Sequence, residues 1–419
     1  MIERMVDQQT DNNRIVITGI GVVAPNGIGK KEFWQNCFKG ISGIKPITLF
    51  DTSKYRCHFA GEISNFQPVE YLGLKGLRNL DRTTLLALVA AKFALEDARL
   101  EITDENRNEI GVVLGSTMGS VHSISEFDKG GLRDGPRYVN PAQFPNTVIN
   151  SPASQVAIRF GLRGLNTTIS TGFTASLDAL SYARDMLTLN HAKTLLVGGV
   201  EELCIQTFLG FYKVGFLATT SNGTPPFCAP FDPHCNGALL GEGAAFFTLE
   251  LLENARQRQV PIYGELLGYG TQFTSSSLYR YDSESSGAIN AIQEALREAG
   301  IGPQEIDAVS ACANAMRACD AMEATALRRV LGSEAYAIPV HAPKAMLGES
   351  FSAGGALQLA IALGMLACQQ SPPAANWQVM DGQINKSRLI TKILVNGVGL
   401  TGVSSALIVG ATRQHKGSS

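Results

Sequence analysis

Continuous apolar runs alternate with apolar positions spaced three and four residues apart along most of the 419 residues. The runs are short and rich in Val, Ile and Gly, the pattern of strands buried on both faces; the spaced segments read as helices. Residues 14–27 predict a buried strand entering a Gly-rich turn, with a helix near 30–39 behind it. Residues 83–100 predict a strongly apolar helix, followed by a strand at 110–115. Residues 116–150 are punctuated by Gly, Pro and Asn and predict a long irregular region, too long for a simple connector. A strand of β-branched residues, a sharp turn at Gly172, a helix at 174–189 and a buried strand at 194–201 complete the first half.

The second half repeats the first. A helix at 288–299 capped by Gly300, with a strand at 306–311, mirrors the helix at 83–100 and the strand at 110–114. A buried helix at 353–368 and a strand at 392–396 mirror those at 174–189 and 194–200. The alternation predicts an α/β fold of mostly parallel sheets with helices on their faces. Gly19 and Gly21 lack the third glycine and downstream acid of a dinucleotide fingerprint, so they read as tight packing.

The chemistry concentrates in residues 165–180. A strand that turns abruptly into a buried helix sets the turn side chain at the helix N-terminus, where free N–H groups and the dipole favour a developing anion. A Cys there would have a depressed pKa and act as an activated nucleophile. Here the turn carries Phe173, which has no nucleophilic atom.

Composition narrows the field. Thirty-five basic and 37 acidic residues give a net charge of −2, leaving no basic field for nucleic acid or an anionic membrane. The apolar run 353–368 is short for a membrane span and carries Gln358, so it reads as a buried helix. The first seven residues are polar, without an apolar signal region, which predicts a cytoplasmic protein. Eight Cys without CxxC pairs or paired His predict reduced buried thiols, with no metal and no cofactor.

Residues 161–180, the Pro230-Phe231-Asp232 run with Gly237 and Gly241–Ala244, and residues 320–327 resemble the elongating β-ketoacyl synthases of fatty-acid and polyketide assembly. The resemblance runs from Arg14 to about Gly410. It implies a thiolase-like, five-layered αβαβα fold of two duplicated halves, residues 14–252 and 253–412. In that family a turn Cys holds the acyl chain as a thioester, and two His side chains polarise the malonyl thioester and stabilise its enolate. By this resemblance Phe173 stands for the Cys, Cys312 for the first His and Glu349 for the second.

None of the six His residues (58, 122, 191, 234, 341 and 415) falls where it would substitute; His341 reads as a surface or loop residue. Lys344 and Glu323 are expected to form the buried ion pair that braces the family's active site. Leu400 replaces the aromatic gate of the glycine-rich loop 396–402, and the N–H groups of Phe173 and Leu400 would form the oxyanion hole. Cys312 admits two readings, a small buried apolar residue or a relocated nucleophile; the first is favoured because no His or Lys lies in sequence reach to lower its pKa.

A ketosynthase that keeps its scaffold without its triad is similar to a chain length factor, the β subunit of a type II system. The resemblance then implies a catalytic ketosynthase α subunit as partner in a heterodimer, and an acyl carrier protein whose phosphopantetheine holds the chain. Ser120, Ser123 and Phe127 would line the acyl tunnel. The alternatives are a free-standing acyltransferase or hydrolase using Cys312, and a carrier-protein scaffold with no tunnel.

Overall fold

The computed structural model describes residues 13–220, 229–275, 280–373 and 388–412. The polar first residues and His415 lie outside the described residues.

The first half supplies β1 (Ile15–Ala24), β2 (Ile110–Gly115), β3 (Asn166–Ile169), β4 (Thr194–Glu201) and β5 (Gly243–Leu251). The second supplies β6 (Gly264–Phe273), β7 (Ala308–Ser310), β8 (Val340–His341), β9 (Lys392–Val398) and β10 (Val403–Gly410). They lie side by side in the order β8-β7-β9-β10-β6-β1-β5-β4-β2-β3, with Gly27–Ile28 pairing back on β1. Each half has the same strand order, and the halves meet where β1 pairs β6 through Val16 with Glu265 and Ile17 with Gly264.

Helices divide this sheet into layers. Helix α1 (Lys30–Phe38) follows β1, and α2 (Arg82–Asp97) starts at Asp81, whose carboxylate accepts the Thr84 N–H at 2.7 Å. Ala87, Ala90 and Ala94 of α2 pack on Val112 and Leu114 in one outer core. Between the half-sheets lie α5 (Ala175–Thr188) and α10 (Ser352–Cys368), whose Leu177, Ala183, Leu357 and Ala360 share a central core with Val113, Val197 and Val395. Ala291 and Ala295 of α7 (Ser286–Ala299) pack on Val309 and Ile408 in the other outer core. The result is the five-layered αβαβα arrangement.

The duplication reaches single atoms. A Cβ on Gly19 would lie 2.1 Å from the Ala94 carbonyl oxygen and one on Gly21 1.9 Å from that of Ala90. A Cβ on Gly268 would lie 2.2 Å from the Ala295 oxygen and one on Gly270 2.1 Å from that of Ala291. All four glycines let an outer helix settle onto a strand, so the pair near the N-terminus serves packing, as read from the sequence.

Two expectations need correction. The sheet is mixed: pairs are parallel among β2, β3 and β4 and among β7, β8 and β9, whereas β4-β5-β1-β6-β10-β9 is antiparallel throughout. Helical layers bury both faces of these strands whatever their direction, so apolar runs carry no sign of it. The region 116–150 is also not simply irregular. It holds α3 (Val121–Asp134) and two 3₁₀ stretches before α4 (Ser151–Phe160). No residue of α3 is buried: Val121, Ile124 and Phe127 share a face but stay half-buried, and Gly130 and Gly131 interrupt the helical pattern behind them.

Candidate functional site

The edge strand β3 leads into the turn. Gly172 adopts φ +88°, a left-handed conformation in which a β-carbon would be strained, and delivers Phe173 just ahead of α5. Thr117 Oγ1 donates to the Gly172 carbonyl at 2.6 Å. The Glu201 carboxylate, at the end of β4, accepts the Thr117 and Met118 N–H groups and the Ser352 hydroxyl. One buried acid thus ties the turn, the 116–120 loop and α10 together. Burial raises the Glu201 pKa to about 7.

Phe173 is only 8% exposed. Its ring centroid lies 5.1 Å from that of Phe351, 6.2 Å from Phe211 and 6.3 Å from Phe216. Phe211 comes from α6 (Ile205–Lys213) and stacks on Phe351 at 4.7 Å. Leu400 closes the same cluster. The space beside the turn is therefore filled with aromatic carbon. Phe351 holds φ +49°, a strained conformation that persists when its surroundings over-determine it.

Beyond this plug lies a closed polar network. Lys344, in the short helix α9 (Lys344–Leu347), donates to Glu349 Oε2 at 2.8 Å. Asn314 Nδ2 donates to the same oxygen at 2.9 Å, and the Phe351 N–H to Glu349 Oε1 at 3.0 Å. Burial works against the Lys344 ammonium, but the Glu349 carboxylate outweighs it and raises the pKa. This corrects the expected pairing: Lys344 is paired with Glu349, not Glu323. Glu323 instead accepts the Cys312 N–H at 2.8 Å and Asn396 Nδ2 at 2.7 Å. The acid at position 349 sits five residues from Lys344, in reach to capture its charge.

Cys312 is 1% exposed, and burial pushes its thiol well up, with the neighbouring Cys319 thiol adding to the effect. Such a thiol is not poised to attack. His341 is not a surface residue as expected; it lies in β8, 1% exposed, with both ring nitrogens unpartnered among the described residues. Burial lowers its pKa to about 3. Its polar type masked a position whose neighbour Val340 belongs to the outer core.

Ser120 immediately precedes α3 and is buried, whereas Ser123 and Phe127 on the helix are half-buried. The Phe127 ring sits 6.1 Å from that of Phe144. The helix that carries Ser123 and Phe127 touches α6, the helix of Phe211, and His122 Nδ1 lies 3.3 Å from Gln206 Oε1 across that contact. The residues that sequence reasoning missed are Phe211, Phe216 and Phe351, which fill the site; it also missed the role of Asn314, which locks Glu349. The spacing of Phe208, Phe211 and Phe216 was a visible signal, but only a spatial neighbour shows that the rings converge.

Comparison with known proteins decides the family. The "Beta-ketoacyl synthase, N-terminal domain" model matches residues 12–255 and the "Beta-ketoacyl synthase, C-terminal domain" model residues 263–378. The chain belongs to the β-ketoacyl synthase family. It is 33% identical over 408 residues to 3-oxoacyl-[acyl-carrier-protein] synthase 2 of Coxiella burnetii, covering 95% of this chain and 99% of that one. The Synechocystis synthase of the same name is 30% identical over 372 residues, covering 88% of this chain and 89% of its own.

Among solved structures, the ishigamide ketosynthase/chain length factor superposes with a TM-score of 0.84 at 28% identity, covering 96% of this chain and 99% of that chain. A type II PKS acyl-carrier protein in complex with its ketosynthase bound to the hexaketide gives 0.84 at 27%, covering 95% and 99%. The fold is thus the thiolase-like fold of ketosynthases. In this family member, no helix among the described residues is long and apolar enough to cross a membrane.

Proposed function

We propose that this ketosynthase family member is a non-catalytic subunit, a chain length factor, that pairs with an active β-ketoacyl-ACP synthase and supplies part of the wall of its acyl tunnel. The observation that carries the reading is the aromatic plug: Phe173 stands at the nucleophile turn, packed against Phe211, Phe216, Phe351 and Leu400. The turn offers neither a thiol nor room for an acyl thioester. At the positions assigned to the two His, Cys312 is a buried, protonated thiol and Glu349 is bound to Lys344 and Asn314. Neither side chain is left as a donor to polarise a thioester or hold an enolate.

A free face supports a partner. Leu132 is 88% exposed, Tyr138 79%, Phe144 59% and Ile158 71%, all within residues 121–160, whose helix α4 packs on β3 at the edge of the sheet. An open strand edge flanked by large apolar side chains is a template for pairing. The partner is an intact ketosynthase, and the shared substrate is an acyl chain on a carrier protein's phosphopantetheine. Co-expression with such a ketosynthase should give a 1:1 complex on size exclusion. A stable monomer that ignores the ketosynthase would overturn this reading.

A further inference from the structure

Two consecutive acids hold one stretch of backbone. Glu201 ends β4 and Glu202 follows it, 0% and 3% exposed. The Glu201 carboxylate accepts the N–H groups of Thr117 and Met118, and Glu202 accepts the N–H of His122 at 3.2 Å. Both ends of residues 117–122 thus hang on carboxyl groups from one strand. The stretch leads into α3, whose first turn receives no side-chain cap from Ser120.

The charges around the two acids are almost all negative. Asp81 and Arg82 face them from the start of α2, Glu242 from the position before β5 and Glu62 from beyond Arg82, with Cys204 beside Glu202. Arg82 is the single cation of this group, and its Nε and Nη2 both go to Glu242. Glu62 is taken up by the Thr48 and Leu49 N–H groups. On α3, Glu126 pairs with Lys129; Lys213 stands at the far end of α6. Helix α10 carries no charged residue and brings the Ser352 hydroxyl to Glu201. The charges of α5 are spent elsewhere, Asp178 on Tyr269 and Ser405, and Arg184 on Asp185 and Glu298. Neither Glu201 nor Glu202 has an ion-pair partner among the described residues.

Backbone N–H donors favour an ionised acid, whereas a dry interior and like charges disfavour it. The second effect wins here. Burial raises the Glu201 pKa to about 7 and that of Glu202 to about 8, with Asp81 adding to the latter. Released into water, either group would return to the ordinary value of 4.5. The closed arrangement therefore keeps its full stability below pH 4.5 and loses it as pH climbs through 7 and 8. A neutral carboxyl group still accepts an N–H through its carbonyl oxygen, so protonation leaves the hold on the loop in place.

We infer that Glu201 and Glu202 form a pH-operated latch: protonated, they hold residues 117–122 and the start of α3 against β4, and as they ionise this stretch opens locally while the rest of the fold stays closed. The helix set loose carries Ser123 and Phe127 and leads into the apolar face of residues 121–160, so the latch sets the order of that face. It is a property of the single chain and needs no partner.

Amide hydrogen exchange of the purified chain, corrected for intrinsic rates, tests this between pH 6 and pH 8. Shifts from 4.5 to about 7 and about 8 make opening about tenfold and about fiftyfold more frequent over that range, for Glu201 and Glu202 respectively. Protection at Thr117, Met118, His122 and the first turn of α3 should fall at least about tenfold, and should stay below that of the β1 amides throughout. Glu201→Gln and Glu202→Gln, which carry no proton to lose, should each reduce the fall, and the double variant should abolish it. If the double variant does not fold, the wild-type series and Glu202→Gln decide alone. Protection that does not change with pH overturns the inference, as do loop amides that exchange only together with those of β1. A fall that persists undiminished in the Gln variants places the titration on the His122 ring and overturns it too.

Discussion

At the scale of single residues, the site is explained by where charge is placed. A carboxylate at position 349 with no partner would be costly in an interior this dry, and Lys344 and Asn314 remove that cost. Lys344→Met should destabilise the fold by about 3–5 kcal/mol, because it leaves the buried Glu349 charge uncompensated. The double variant Lys344→Met/Glu349→Leu should recover most of that loss. Urea denaturation of the three proteins checks this, and additive losses would contradict it.

His341 makes a second residue-scale prediction. Burial lowers its folded pKa to about 3 from the ordinary 6.5, so below pH 6.5 the unfolded chain binds a proton that the folded chain refuses. Its contribution is therefore fully present above pH 6.5 and is lost as pH falls from there toward 3. His341→Leu should flatten the acid side of the stability profile between those limits. An unchanged profile would mean that His341 is not held neutral. Glu201 and Glu202 act in the opposite sense: their raised pKa values make the fold lose stability as pH rises from about 4.5 through 7 to 8.

At the scale of elements, much was legible and the failures have physical causes. Strand β4 and the turn at Gly172 stand where the sequence placed them, because β-branched runs and a left-handed glycine are local signals. Helix α3 was missed since Gly130 and Gly131 interrupt its pattern, and strand direction since both faces are buried regardless. The Lys344–Glu349 pair was missed for another reason: the family pattern suggested Glu323, and only spatial proximity decides which acid a buried lysine meets. Ser123 on α3 is half-buried and so has room to change. In a reconstituted complex Ser123→Phe should shorten the product and leave the complex intact, since overpacking costs about 1–3 kcal/mol. Product analysis by mass spectrometry checks this, and an unchanged chain length would remove Ser123 from the tunnel wall.

At the scale of the whole molecule, two duplicated halves build a site filled by an aromatic plug and a closed ion pair. On the reading proposed above, catalysis belongs to a partner. The most direct test is carbon dioxide release from malonyl-carrier protein by the purified chain alone, beside the same chain in complex with an intact ketosynthase. The isolated chain, and its Phe173→Cys variant, should release none above background, because on the proposed reading both lack the enolate-stabilising donors. One such donor is commonly worth about 10²–10³ in rate. The complex should be active and should fall silent when the partner's nucleophilic Cys is replaced. Turnover by the isolated chain that Cys312→Ala abolishes would contradict the account.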